Sequence, residues 1–356
     1  MVAPGDARPW VIRAFRPEDR EQLTHMLGEV FGYSDPDRYF TWIYQQNPAG
    51  PAWAWVACER GTERIVGADA FFPWQVAWNE RALPAAQMAN AMVLPAYQRQ
   101  GIFTALIKEG LQALKNLGIQ FVYGFPNQRA VPGHRKAGAV TLGRIVRVVR
   151  PVNLARLSNR LQRRGGFAGW FARLGKYGSI SLPHRHWLAS KGLQCHPIEQ
   201  CDERLDELWV HRPTDLGIVA VRDQQYLHWK YGSRPFREYT LWALEPIGTS
   251  NRLLGYAIST IDEGVLSIVD MLVIAEDEAL YTRYLIRGLI DQARERGCGA
   301  VSFHALEGNR YMRAFYRSGF FPYSRRDTAI VYLLGDVTAA SVTDCRNWYL
   351  TIGDQE

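Results

Sequence analysis

The 356-residue sequence has no run of about 18 consecutive apolar residues, the length that a membrane-spanning helix needs. It also lacks a basic start followed by an apolar stretch, the pattern of a secretory leader. The five cysteines are scattered and include no Cys-x-x-Cys pair, which argues against a disulfide framework and against a zinc knuckle. These absences predict a cytoplasmic protein with reduced, mostly structural thiols.

Several catalytic motifs are missing as well. The sequence contains no Gly-x-Ser-x-Gly elbow, no His-Glu-x-x-His helix and no loop ending in Gly-Lys-Thr or Gly-Lys-Ser. Serine hydrolase, zinc protease and nucleotide triphosphatase activities are therefore poorly supported. The segment His184-Arg185-His186 has no cysteine or carboxylate nearby, so we expect a solvated loop there and predict no metal site.

The composition is that of a globular protein, with 47% hydrophobic and 22% charged residues. A chain of this length exceeds one typical core, so two domains are expected. The net charge of +7 favours an anionic partner, such as the phosphates of CoA, a nucleic acid, an acidic glycan or a lipid head group. Much of that charge lies between Pro151 and Ile198, where eight Lys or Arg residues occur without one Asp or Glu.

An internal repeat gives the domain organisation. Residues 38–44, with Trp42 inside an aromatic segment, have a counterpart in residues 225–231, where Trp229 takes the same place. The strand and helix patterns that follow each tryptophan come in the same order. The repeat predicts domains at 1–150 and 201–340, a basic connector at 151–200 and a C-terminal tail at 341–356.

The most informative stretch runs from Met92 to Phe103. A predicted strand over 85–94 ends in a polar turn, and Gly101 then opens an amphipathic helix predicted over 101–117. The first amides of a helix lack intrahelical partners and carry partial positive charge, which suits a pyrophosphate. Gly101 permits close approach of a ligand to the backbone, and Arg99 adds charge.

This stretch resembles motif A of the GNAT acetyltransferases, whose (Gln/Arg)-x-x-Gly-x-(Gly/Ala) loop holds the pyrophosphate of acetyl-CoA. Phe103 departs from the pattern, because it occupies the last small position. The resemblance implies acetyl-CoA as donor substrate and a binding site built by the end of the strand, the loop and the helix start, namely Val93, Leu94, Gln98, Arg99, Gln100, Gly101, Ile102, Phe103 and Thr104.

A second resemblance follows at residues 127–138. Asn127, Ala130, Lys136 and Gly138 fit motif B of the same family, in which an Asn contacts the cofactor and a Tyr lies near the thioester sulfur. His134 occupies the Tyr position. The resemblance implies that Asn127 binds the cofactor and that His134 protonates the departing thiolate, since a histidine pKa lies near neutrality. A surface histidine on a short helix is the alternative.

Residues 10–31 resemble the first strand and helix of the GNAT fold, so the likeness covers 10–150 well and 205–335 more loosely. We therefore expect an α+β protein of two tandem GNAT-like domains, each with a mixed, mostly antiparallel sheet flanked by helices. The second copy is expected to be degenerate. Asp277 and Glu278 stand where the first copy has its loop, and two carboxylates would repel a pyrophosphate.

The base that deprotonates the acceptor is not identified by a motif. Asp69 on a predicted strand is one candidate, and a solvated or hydrogen-bonded strand residue is the alternative. The acidic chain end, Asp354 to Glu356, is another, because the related N-myristoyltransferases use their terminal carboxylate as base. Frayed terminal residues are the alternative there.

Three functions follow. The first is an acyl-CoA-dependent N-acyltransferase acting directly on a small-molecule or glycan amine, such as an amino sugar or amino acid. The second is a Fem-type aminoacyl transferase, which uses charged tRNA, although the CoA loop makes nucleic acid a poor fit. The third is a non-catalytic CoA sensor.

Residues 154–174 are expected to form connector helices or a peripheral membrane contact. The oligomeric state and the acyl chain length stay open.

Overall fold

A computed structural model describes residues 8–78, 80–153, 188–248, 251–336 and 339–355. The connector helices predicted between 154 and 174, and the possible membrane contact there, lie outside these residues. Among the described helices, none combines the length and the apolarity needed to span a membrane.

The described residues form both strands and helices. The strands are β1 (Trp10–Ala14), β2 (Trp53–Glu59), β3 (Ile65–Trp78), β4 (Arg81–Val93), β5 (Phe121–Gly124), β6 (Val140–Pro151), β7 (Leu193–Ile198), β8 (Ile218–Ala220), β9 (Thr240–Pro246), β10 (Gly255–Asp262), β11 (Val265–Val273), β12 (Ala300–Leu306), β13 (Phe321–Leu333) and β14 (Trp348–Tyr349). The helices are α1 (Arg20–Phe31), α2 (Pro36–Phe40), α3 (Ile102–Asn116), α4 (Val131–Lys136), α5 (Arg204–Val210), α6 (Gln224–Leu227), α7 (Glu278–Glu295), α8 (Met312–Arg317) and α9 (Ala339–Val342).

Two compact units share these elements. The first unit holds residues 1–143 and 327–344, and the second holds 144–326 and 345–355. The domain boundaries read from the sequence stay a prediction, and the units differ from them at the C-terminal side. Residues 330–333 of β13 pair with β5 in the first unit, which brings a distant part of the chain into that sheet.

The sheet of the first unit has the order β1-β2-β3-β4-β5-β13. All neighbours in it are antiparallel except β4 and β5, which run parallel. Helix α3 packs on this sheet so closely that a Cβ at Gly110 would lie 2.2 Å from the Phe71 ring. The α3 residues Leu106, Ile107 and Leu114 share a buried core with the sheet, because apolar residues at helical spacing point to one side.

The second unit contains a sheet of the order β6-β12-β11-β10-β9-β7, again with one parallel pair, β11 and β12. The predicted α+β class with mostly antiparallel sheets flanked by helices is confirmed. Helical segments at Thr41–Gln45 and His228–Gly232 follow α2 and α6 and have the same wide π-type turn, as the aromatic repeat predicts. That the second unit is a degenerate GNAT copy stays a prediction.

The two parallel strands of the second unit separate beyond Ile268 and Phe303, the last paired residues. Residues 348–354 lie between the separating strands. Leu306 N–H donates to the Leu350 carbonyl at 3.0 Å, and the Tyr349 hydroxyl donates to the Met271 carbonyl. The chain itself therefore fills this gap in the second unit.

The filled gap contains a buried ion network. Arg222 donates from Nε to Asp270 at 3.1 Å and from Nη2 to Asp354 at 2.7 Å, and none of the three side chains is more than 1% exposed. Thr351 contacts both carboxylates through its hydroxyl, at 3.3 Å and 3.2 Å. The network fixes the C-terminal segment to β11, so the expectation of frayed terminal residues is wrong for Asp354.

Candidate active site

The parallel strands β4 and β5 of the first unit pair only from Ala85–Met88 and Phe121–Gly124. Beyond this point β4 continues to Val93 while β5 has ended, so an open gap begins where Gly124 meets Met88. In contrast to the second unit, no described segment of the chain is hydrogen-bonded between these two strands.

A β-bulge bends β4 beside this gap. Ala68 and Ala70 of β3 face Met92 and Ala89 of β4, so β4 holds one residue more than β3 over this interval. Asn90 lies in the bulge with φ of 60°, and its side chain meets the Tyr39 hydroxyl at 3.3 Å. A bulge leaves one residue outside the hydrogen-bonding ladder and turns the strand, which widens the gap toward the helix start.

The loop from Leu94 to Gly101 joins the bent end of β4 to α3. Arg99 and Gly101 both have a positive φ, 64° and 84°, so consecutive amides turn inward in a nest-like backbone. The first intrahelical bond runs from Ala105 N–H to the Gly101 carbonyl at 3.1 Å. The amides before Ala105 are therefore available to a ligand at the mouth of the gap.

The side chains of the loop have two different roles. Gln98 and Gln100 donate back to the carbonyls of Val93 and Ala96, each at 3.2 Å, so these amides brace the loop. Arg99 is exposed and makes no hydrogen bond or ion pair with another described residue. Backbone amides and one mobile cation are thus the groups that this loop offers to an anion.

Phe103, the residue that departs from motif A, packs against α4. Its ring lies edge-on to the His134 ring, with centroids 5.1 Å apart. A Cβ at Gly133 would lie 2.7 Å from the Phe103 ring, so only glycine fits opposite it. The large residue in α3 is compensated by the small residue in α4, and the helix start keeps its amides free.

His134 is buried, with 5% of its surface exposed, so the expectation of a surface histidine is wrong. Its Nδ1 lies 2.9 Å from the Tyr332 hydroxyl of β13, which is also 3.3 Å from the His134 carbonyl oxygen. Burial lowers the pKa of His134 to about 4, so the ring is neutral at pH 7. The near-neutral pKa expected from the sequence is thus corrected, and the part of His134 in proton transfer stays a prediction.

We expect this buried imidazole to make the fold acid-sensitive. An unfolded histidine binds a proton near pH 6.5 and His134 only near pH 4, so stability is full above pH 6.5 and is lost as pH falls toward 4. Between pH 7 and pH 5 the loss from this group should be about 2 kcal/mol. Urea unfolding at pH 7 and pH 5 tests this expectation. Between the two pH values, the free energy of unfolding of His134→Gln should fall by that much less than that of the unsubstituted protein. An equal fall in both proteins would contradict the buried neutral ring.

Asp69 on β3 is 1% exposed, and neither of its carboxylate oxygens has a hydrogen-bond partner among the described residues. Burial raises its pKa well above the usual range, with only a weak opposing effect of the Ala70 amide. The carboxyl is also close enough to Tyr332 to raise the pKa of that phenol further, although burial is the larger cause. Burial therefore disfavours the charged form of Asp69, and its role as a general base stays a prediction.

Asn127, predicted to bind the cofactor, has a local role in the structure. Its Oδ1 accepts from the amides of Arg129 and Ala130, both at 3.0 Å, and thereby shapes the turn into α4. Asn309 before α8 accepts from the Tyr311 amide at 3.0 Å in the same way. Asn127 is exposed, so its contact with a cofactor stays a prediction.

The residues predicted from motif A therefore lie together at the mouth of the gap, and His134 lies on α4 beside Phe103. Asp354 does not join them, because it is paired with Arg222 in the second unit. Sequence reasoning missed Tyr332, which is 198 residues from His134, and the bulge at Asn90. The one local signal in the sequence was an asparagine inside a predicted strand, because Asn tolerates a positive φ better than most residues.

The site and fold together define an acyltransferase-like domain that has a helix start with unpaired amides beside separated parallel strands. Residues 11–140 match the family model described as an acetyltransferase (GNAT) domain. A comparison with curated protein sequences gives no match.

The similarity to solved structures covers residues of both units. A GCN5-related N-acetyltransferase from Anabaena variabilis has a TM-score of 0.66 at 17% identity and covers 92% of this chain and 73% of its own. One from Kribbella flavida has a TM-score of 0.59 at 13% identity, covering 91% and 72%. Saccharomyces cerevisiae N-myristoyltransferase with bound myristoyl-CoA has a TM-score of 0.57 at 11% identity, covering 98% and 90%. Residues 11–140 of this chain form a GNAT acetyltransferase domain, and the chain shares the fold of GNAT acyltransferase structures.

Proposed function

We propose that the chain transfers an acetyl group from acetyl-CoA directly to an amine, with the first unit as the donor site. The observation that carries this proposal is the positive-φ loop from Leu94 to Gly101, which presents helix-start amides where β4 and β5 separate. Two linked phosphates complement such amides, and the pantetheine arm would follow the unpaired end of β4 toward Met88 and Gly124.

A short acyl group suits the closed end of this gap. The paired part of β4 and β5 ends the gap at Met88 and Gly124, where a Cβ on Gly124 would lie 3.1 Å from the Met88 carbonyl. The buried rings of Trp74 and Tyr123 meet edge to face, with centroids 6.3 Å apart, behind this point. Little space is left for a long chain, which favours acetyl over fatty acyl donors.

The transfer would proceed by attack of a neutral amine on the thioester carbon, formation of the C–N bond and cleavage of the C–S bond. The proton released by the attacking amine passes to the departing CoA thiolate, with the neutral His134–Tyr332 pair as the relay, so the pair ends in its starting protonation state. The residue outside the ladder at the bulge offers a backbone N–H to the developing oxyanion. The acceptor is expected to be a small-molecule or glycan amine.

Titration calorimetry with acetyl-CoA, free CoA and a transfer RNA separates the three functions. We expect saturable binding of both CoA forms and no salt-sensitive RNA binding. Release of free thiol with a panel of amines then distinguishes an enzyme from a sensor. Tight RNA binding without CoA binding would replace this proposal with the aminoacyl transferase, and CoA binding without turnover on any amine would favour the sensor.

Tyr332→Phe should lower kcat about 100-fold and change KM for acetyl-CoA by less than about threefold, because only the proton-handling hydroxyl is removed. The ring and its packing on β5 stay in place. Steady-state thiol release measures both constants. Tyr316→Phe, which removes an exposed hydroxyl from α8, is the matched control and should leave kcat unchanged. An unchanged kcat in Tyr332→Phe would exclude this tyrosine from the reaction.

A further inference from the structure

The second unit has a polar area on β6 and β12 that the acyl-transfer proposal does not use. Arg147 and His304 lie directly opposite each other on these antiparallel strands, so their side chains point to the same face of the sheet. Phe303, the neighbour of His304, stacks on Phe315 of α8 with centroids 4.2 Å apart. His304 therefore points to the face opposite α8.

Both side chains carry a buried nitrogen that has no partner. Arg147 Nε and His304 Nε2 are enclosed by protein, and neither forms a hydrogen bond with any described residue. An unsatisfied buried donor costs about 1–3 kcal/mol, and native proteins seldom keep two of them side by side. Both residues are only partly buried as a whole, so a small shift of their side chains would let an acceptor from outside the chain reach these nitrogens.

The surroundings of this pair are positive. The Arg147 guanidinium lies 5.2 Å from the centre of the half-exposed Tyr323 ring, which orients its planar group. Burial, together with the nearby charges of Arg147 and Arg237, lowers the pKa of His304 to about 3. Ser302 and Ser267 bond to each other at 3.0 Å on the same face.

We propose that Arg147 and His304 form a binding site for an oxyanion, a phosphate or carboxylate group, on the face of the second unit opposite α8. Arg147 Nε–H and His304 Nε2–H would each donate to one oxygen, with the histidine in its Nε2–H tautomer. Charge-assisted bonds from a guanidinium are the stronger part of such a site. The site is independent of the donor loop in the first unit.

Nuclear magnetic resonance of the His304 imidazole in the full-length chain tests the site, because the signal comes from a residue of the site itself. The signal is assigned by its loss in His304→Gln. Titration with inorganic phosphate, and separately with acetate, should shift it in a saturable way and raise the pKa of His304, because the anion offsets the neighbouring cations. The anion that binds more tightly, phosphate or acetate, identifies the class of oxyanion.

Arg147→Met should weaken the binding of that probe at least about tenfold. Arg147→Lys, which keeps the charge but loses the Nε–H donor, should weaken it less and serves as the test if the Met variant does not fold. Arg144→Met removes an exposed arginine from the same strand and should leave the affinity unchanged. A His304 signal insensitive to both anions, or an equal loss in Arg144→Met, would overturn the site.

Discussion

Gly101→Asp should abolish acetyl-CoA binding, with a loss of affinity of at least about 100-fold. The new carboxylate would stand at the start of α3, where the amides before Ala105 meet the pyrophosphate. Two like charges about 4 Å apart repel each other by about 4 kcal/mol near a protein surface, which corresponds to more than 100-fold in affinity. Titration calorimetry with acetyl-CoA gives the value directly.

The free protein should tolerate this substitution. No atom lies within 4 Å of a Cβ built at Gly101, and an aspartate accepts the φ of 84° better than most residues. Gly101→Asn is the matched control, since it has the same shape without the charge and should retain most of the affinity. Gly118→Asp places the same carboxylate just beyond the other end of α3, at a φ of 79°, and should bind normally. Undiminished affinity in Gly101→Asp would refute the pyrophosphate assignment.

Arg222→Met should lower the free energy of unfolding of the second unit by about 3–5 kcal/mol, because it leaves Asp270 and Asp354 buried without their cation. The Asp354 carboxylate also accepts from the Thr351 amide at 2.7 Å, so the loss would loosen the segment that fills the gap beside β11. Urea unfolding followed by tryptophan fluorescence measures it, since Trp348 lies in that segment.

Two further variants separate the ion network from a general effect of losing an arginine. Arg252→Met removes an arginine that pairs with Glu276 at 2.8 Å, both more than half exposed, and should cost less than about 1 kcal/mol. Adding Asp354→Asn to Arg222→Met removes one of the stranded charges and should recover part of the stability. Equal losses in Arg222→Met and Arg252→Met would show that the buried network does not stabilise the unit.

Local patterns in the sequence predict the donor site well. The strand predicted over 85–94 is the later part of β4, which ends at Val93, and the helix predicted over 101–117 is α3 at Ile102–Asn116. Both are long and strongly periodic, which is the condition under which sequence patterns are most reliable. The loop between β4 and α3 can be predicted as well, because a glycine between a strand and an amphipathic helix indicates a tight turn.

The proton-handling part of the site could not be predicted in the same way. Tyr332 reaches His134 through β13, and no local pattern shows that residues 330–333 join the sheet of the first unit. The pKa of His134 depends on that same burial, since it is enclosed by Phe103 and Tyr332. Chemistry that depends on long-range pairing is visible only when the strand order is known.

The late contribution of β13 bears on how the molecule is made. During synthesis residues 121–124 of β5 emerge about 200 residues before their partners at 330–333, so the first sheet has an open hydrophobic edge while the second unit is being translated. Such edges pair readily with other chains. A nascent polypeptide stalled after residue 150 would carry a pyrophosphate loop but no complete active centre, and chaperones that cover strand edges should favour its productive maturation.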